Sequence, residues 1–375
     1  MKYLLTAILI LSLSACSLPS AGVKLPQVVD VIQVGAGGTD PNSVGDLSTP
    51  AAASFSADSG AITFVINVHD WVNSDDSAAT LLRLVDLFEK YGVRGDFYFT
   101  APVVETYVRQ HPEVIARLKA SSMTISYHVR PPHPLYTGFD SRLKGLDDAA
   151  LYRTLMDYET YALDLATGEL DRSRPGGYQY VTQVFGTKPV TAAAPNADRR
   201  IKNTAERVYA ALGAGLTILY HEEGTDLERP FVYSNGLLVR PSDFSITRVP
   251  GSENFWWNFM SSPHAGEYDP VVLLQSQLAE WQAGRPPLIT ALIHENNFYR
   301  FGAESWTPFY FNGRDKSTPL APPFNLDAPD LSKPRAKSDQ EAIWDAYERL
   351  VAYAAAHLKV VTSADLLLMA KGEIK

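Results

Sequence analysis

Cysteine is almost absent: Cys16 is the only one in 375 residues, so no disulfide can close within the chain. A cationic excess is absent too, since 33 Lys and Arg stand against 42 Asp and Glu for a net charge of -9. Nucleic-acid backbones are bound by cations that displace counterions, so that class of partner is not expected. Long hydrophobic runs are missing apart from Leu4 to Leu13, which is too short to span a bilayer comfortably. No internal repeat is evident, and no Ser-His-Asp or Cys-His arrangement for nucleophilic catalysis is recognisable. What remains is ordinary globular material, 46% hydrophobic and 20% charged, long enough for one large domain or two smaller ones.

The short apolar run follows Lys2 and ends in Leu13-Ser14-Ala15-Cys16, which resembles a bacterial lipobox. The expectation is a lipoprotein signal over residues 1–16, its thiol acylated, anchoring the chain to a bacterial membrane in the cell envelope. The plainer alternative is an ordinary signal or short anchor with an incidental cysteine. Residues 17–60 are rich in Gly, Pro, Ser, Ala and Asp without a helical period, and read as a flexible tether.

From Ala61 onward, strand and helix patterns alternate. A β-branched run over 62–68 ends at His69-Asp70-Trp71. Leu81, Leu82, Leu84, Val85, Leu87 and Phe88 then predict a helix over 77–91, which Gly92 stops. A strand over 93–99, a helix over 103–120 and a strand over 124–127 follow, the last delivering His128. Further helices are expected over 147–166, 198–212, 273–283, 339–357 and 363–370, and strands over 188–194, 216–220, 288–293 and 359–361. Such alternation favours parallel strands with helices outside, as in a distorted (β/α) barrel, whose ligands lie at the carboxyl ends of the strands. Residues 226–268 read as long loops over the site, and 306–334 as an insertion packed on the surface.

The stretch from Thr124 to Pro134 is the chemically richest. Pro131, Pro132 and Pro134 forbid a helix, so His128 and His133 project from a stiff turn at a strand's end. Joined by Asp70 at the end of another strand, they would form a two-histidine, one-carboxylate site for a divalent ion, with zinc the first choice. The plain alternative is an Asp capping a helix and two histidines hydrogen-bonded within a loop.

Four stretches resemble the polysaccharide deacetylases with a NodB-homology domain. Asn67-Val68-His69-Asp70-Trp71 is similar to the family's first motif, Gly92 to Phe99 to its second strand, Met123 to His133 to its two-histidine motif, and Leu292-Ile293-His294 to its late motif. The departures are specific. Val129, Arg130, Pro131 and Pro132 separate the two histidines where the family usually has three residues, and His69 stands where it has an aspartate base. Only Ala193-Ala194-Pro195-Asn196 offers a counterpart to its arginine-proline-tyrosine motif.

The resemblance implies removal of an acetyl group from an N- or O-acetylated polysaccharide. Asp70, His128 and His133 would hold the metal, and His294 would protonate the leaving group. His69 keeps three readings: general base, fourth ligand, or core-facing strand residue. Trp71, Trp256, Trp257 and Trp306 are either sugar-stacking or core. His221, at another expected strand end, reads as part of a solvated loop. The rival functions are a glycan-binding lipoprotein without catalysis, and hydrolysis of another carbon-nitrogen bond or a glycosidic bond.

Overall fold

Burial along the whole of Ala61–Val68 sets the architecture, because a strand with no solvent-facing side must be covered on both faces of its sheet. The computed structural model describes residues 60–136, 138–193, 196–218, 232–239, 244–245, 269–279, 288–313, 316 and 318–373. The expected signal peptide (1–16), residues 17–59 of the tether, Ala194 and Pro195, His221, Trp256, Trp257 and most of the 226–268 insertion lie outside the described residues.

One sheet is built from β1 (Ala61–Val68), β2 (Asp96–Phe99), β3 (Thr124–His128), β4 (Ala192–Ala193), β5 (Phe244–Ser245), β6 (Leu288–His294) and β7 (Lys359–Val360). The spatial order is β5-β6-β1-β2-β3-β4, with β7 also beside β1, and every pairing is parallel. β7 and β2 share one edge of β1: β7 pairs with Ala61 and Ile62, and β2 takes over from Val65 to Val68. Among the described residues no pairing joins β4 to β5, so the sheet curls into a half-barrel of the expected α/β class.

The helices follow the apolar periodicity, with informative exceptions. α1 (Ser74–Lys90) buries Leu81, Leu84, Val85, Leu87 and Phe88. The expected helix over 103–120 is two, α2 (Ala101–Gln110) and α3 (Pro112–Ala120), because Pro112 has no N–H to donate and suits a helix's first turn. α4 (Asp148–Thr160) ends six residues before the expected 166, and Tyr161–Leu163 pairs antiparallel with Leu170–Pro175. α5 (Gly177–Phe185) begins inside Pro175-Gly176-Gly177-Tyr178, a stretch whose composition reads as a loop. α6 (Arg199–Leu212) is capped by the Asp198 carboxylate, which accepts the N–H groups of Arg200 and Ile201.

The 306–334 segment is more than a surface covering. Trp306, Phe309, Tyr310, Phe311 and Phe324 are buried in an aromatic core of their own, against which Trp71, Val72, Tyr136 and Phe139 pack. It stands over the carboxyl end of β1.

Gly176 joins the 161–175 hairpin to α5, and a β-carbon there would collide with the Tyr161 backbone. Backbone cannot yield as a flexible side chain does. Gly176→Ala is expected to lower the unfolding free energy by about 2–3 kcal/mol, measured by urea denaturation. An unchanged midpoint would show that the hairpin is not packed this tightly.

Candidate metal centre

The parallel register of β1 and β6 sets Asn67 opposite His294, so His69, two residues further on, emerges at the same mouth. Glu295 fastens the two ends together. Its Oε1 accepts the backbone N–H of His69 at 2.6 Å and of Asp70 at 2.5 Å. The His69 and His294 rings are thereby held edge-on, 4.5 Å between centroids. Glu304 reaches in from the loop beyond β6, with Oε2 2.8 Å from His69 Nε2 and Oε1 3.9 Å from His294 Nδ1. Donor atoms of these three buried residues all lie within 4.8 Å of one another.

Burial drives the His294 imidazole well below its ordinary range, and His69 beside it adds to the effect. His294 is therefore neutral. Burial opposes ionisation of Glu304, yet His69, Lys316 and His294 together hold its carboxyl well below the usual range. Its charge is retained. His128 packs against His69, 5.7 Å between ring centroids, and is fully buried with neither ring nitrogen hydrogen-bonded. Burial, with help from Arg130, His69 and His294, also keeps His128 neutral.

The structure brings together His69, His294 and His128, but turns Asp70 and His133 to other partners. Asp70 Oδ1 accepts the N–H groups of Val72 and Asn73, while Oδ2 accepts from Asn73 Nδ2, the Tyr299 hydroxyl at 2.9 Å and the Ser305 hydroxyl at 3.0 Å. This carboxylate's acceptor sites are committed to joining β1 to the 299–305 segment. His133 Nδ1 accepts the Leu135 N–H, and its Nε2 lies 3.5 Å from Glu159 Oε1. Glu159 in turn accepts from Tyr209 and from the Tyr178 N–H, a buried network separate from the metal centre. Trp306 is buried in the aromatic core, so its ring is closed to a sugar face. Glu304 escapes sequence reading because no motif marks it; its only local signal is the Gly302-Ala303-Glu304 turn soon after a strand-end histidine.

These residues fit a divalent ion. Two imidazoles and an ionised carboxylate form a donor set that zinc and several first-row metals accept. His69 Nδ1 is buried without a hydrogen bond, while His69 Nε2 and Glu304 Oε2 are buried facing each other at 2.8 Å, donor atoms whose desolvation coordination would offset. Ligand atoms of a four-coordinate zinc stand about 3.3 Å apart, a spacing that lies between the 2.8 Å and 3.9 Å separations of Glu304 from the two histidines. Two cations act against it: Lys316 Nζ is 3.1 Å from Glu304 Oε1, and Arg130 Nη2 is 3.3 Å from His294 Nε2.

No family model and no curated protein matches the chain. Solved structures do. A candidate polysaccharide deacetylase from Mycobacterium smegmatis is 13% identical, with 87% of this chain and 95% of that one covered and a TM-score of 0.45. The peptidoglycan deacetylase PdaC from Bacillus subtilis is 13% identical over 85% and 95% of the two chains, with a TM-score of 0.36. BA3943 from Bacillus anthracis, a pseudoenzyme of the CE4 family, is 12% identical over 83% and 66%, with a TM-score of 0.38.

Two stability measurements follow from these networks. Asp70→Ala strands five buried or half-buried donors and is expected to cost about 3–4 kcal/mol, whereas His128→Leu, which breaks no hydrogen bond, should stay within about 1 kcal/mol of wild type. Equal losses would contradict the assignment of Asp70 to structure. Burial raises the Glu159 carboxyl from 4.5 to about 7, and lowers His133 from 6.5 to about 3. The Glu159 contribution is full below pH 4.5 and lost as pH rises through 7, while the His133 contribution is full above pH 6.5 and lost as pH falls through 3. The two therefore oppose each other between pH 4.5 and 6.5. In urea titrations, the stability difference between wild type and Glu159→Gln should fall by about 3 kcal/mol from pH 4.5 to 7. A pH-independent difference would place the proton elsewhere.

Proposed function

We propose that the chain is a metal-dependent hydrolase that deacetylates an N- or O-acetylated polysaccharide. The observation that carries this reading is the convergence of His69, His294 and Glu304, buried at the mouth of two adjacent parallel strands. The substrate class rests on the resemblance of residues 67–71, 92–99, 123–133 and 292–294 to the polysaccharide deacetylases.

His69, His294 and Glu304 would hold the divalent ion, zinc by preference. Such an ion, when bound, polarises a carbonyl and lowers the pKa of water towards neutrality. The remaining work falls to this chain's own side chains. His128 is buried beside His69 with neither ring nitrogen hydrogen-bonded, so its ring is placed to take a proton from water and return it to the departing group. Arg130 sets positive charge beside the centre, where it would stabilise negative charge developing on the acyl oxygen. In this scheme His69 and His294 are ligands, and proton transfer passes to His128.

A second reading, a glycan-binding protein without catalysis, is favoured by the two cations. Lys316 already balances Glu304, and Arg130 already donates to His294 Nε2, so the cluster is electrostatically satisfied as it stands. Location belongs to the same proposal: a cell-envelope protein lipid-anchored through Cys16, supported by Lys2, the Leu4 to Leu13 run and the lipobox-like ending. Among the described residues, no helix is long and apolar enough to cross a membrane.

Plasma mass spectrometry on the purified protein should find about one equivalent of metal, lost in His69→Ala and Glu304→Ala. Turnover of acetylated sugar oligomers should fall at least ~100-fold in His128→Leu, with the metal retained. A metal-free wild type that binds the oligomers without turnover would establish the second reading.

A further inference from the structure

A cavity of about 210 Å³ lies behind the histidine turn, under the 161–175 hairpin and the starts of α2 and α5. Its walls are mostly apolar or aromatic, from Tyr127, Val129, Pro132, Tyr158, Leu163 and Tyr180. His128 and Arg130 also line it, and both touch the metal centre: His128 packs on His69 and Arg130 reaches His294. The cavity and the centre thus share a wall made of these two side chains.

The charges around this cavity are unequal in status. Arg174 is held by Asp171 at 2.8 Å and by Glu105 at 3.1 Å, so those lining charges are matched. Among the described residues, Arg130 has no carboxylate partner. One guanidinium nitrogen donates to the Val129 carbonyl, another faces the His294 ring, and buried Nε has no acceptor at all. A buried guanidinium nitrogen without an acceptor, on a residue that lines a largely apolar space, leaves unmet hydrogen-bonding demand, and a carboxylate answers it with two parallel bonds. The fully buried His128, whose ring nitrogens also lack partners, stands next to it.

Size limits the rest of the ligand. An apolar cavity of about 150 Å³ is known to hold a benzene molecule, and this one is somewhat larger. We propose that the cavity binds a monocarboxylate with a compact apolar body of about one ring, its carboxylate taken by Arg130 and its body by the tyrosine-lined wall. The ligand is either an acid derived from a substrate or a free acid acting as an effector. The site itself does not depend on the hydrolase reading.

Calorimetric titration of the full chain with benzoate, benzamide and acetate tests it. Benzoate should bind at least about tenfold more tightly than benzamide, which lacks the charge, and than acetate, which lacks the ring. Arg130→Gln should erase the preference for benzoate over benzamide, while Arg83→Gln, at an exposed ion pair with Glu341, should leave it intact. The wild-type comparison decides alone should Arg130→Gln fail to fold. Equal binding of benzoate and benzamide, no binding of either, or a preference that survives Arg130→Gln would overturn the proposal. Where turnover is measurable, competitive inhibition by benzoate assigns the acid to the substrate, and non-competitive inhibition assigns it to an effector. Both sustain the site.

Discussion

A single buried carboxylate, that of Glu295, holds the strand mouth together. By accepting the N–H groups of His69 and Asp70 it ends β1 at a fixed point, in a place where the next sheet partner is already gone. Backbone groups buried without partners are costly, so this clamp decides where His69 emerges relative to His294. Burial raises the Glu295 carboxyl above its ordinary range, with His69 opposing that shift. The ligand-like geometry at the centre follows from this backbone anchor more than from any motif.

Around that anchor, acidic side chains divide their work. Asp70 is a hydrogen-bond hub that binds β1 to the 299–305 loop, and Asp96 serves similarly by accepting from Ser363 at the start of the helix Ser363–Ala370. Glu304 instead turns its carboxylate to the histidines, with Oε2 2.8 Å from His69 Nε2. The prolines at 131, 132 and 134 then shape the turn after β3. His128 points back over the sheet mouth towards His69, while His133 reaches Glu159 on α4, on the far side of the cavity wall.

Much of the fold was legible because its strands are fully buried and so read as continuous β-branched or aromatic runs, as at 62–68 and 288–293. Helix ends were less so. The break at Pro112 follows from a rule the residues display, but the early stop at Thr160 depends on a hairpin that only tertiary pairing reveals. At the candidate centre, the strand-end placement of His69 and His294 was legible since each closes or follows a buried strand, although His294 was expected there as the leaving-group acid. The role of Asp70 was not, because a strand-end carboxylate serves equally well as ligand or as acceptor, and only its neighbours Tyr299 and Ser305 distinguish the two. Glu304 was hidden by its loop, where no period or spacing singles out one acid.

Metal binding at this strand mouth requires His69, His294 and Glu304 to share one point in space. Anomalous diffraction at the zinc edge, from crystals grown with zinc, addresses it most directly. The account predicts one strong peak within bonding distance of all three side chains. A peak bound by Asp70 with His128 or His133, or no peak at this strand mouth, would contradict it.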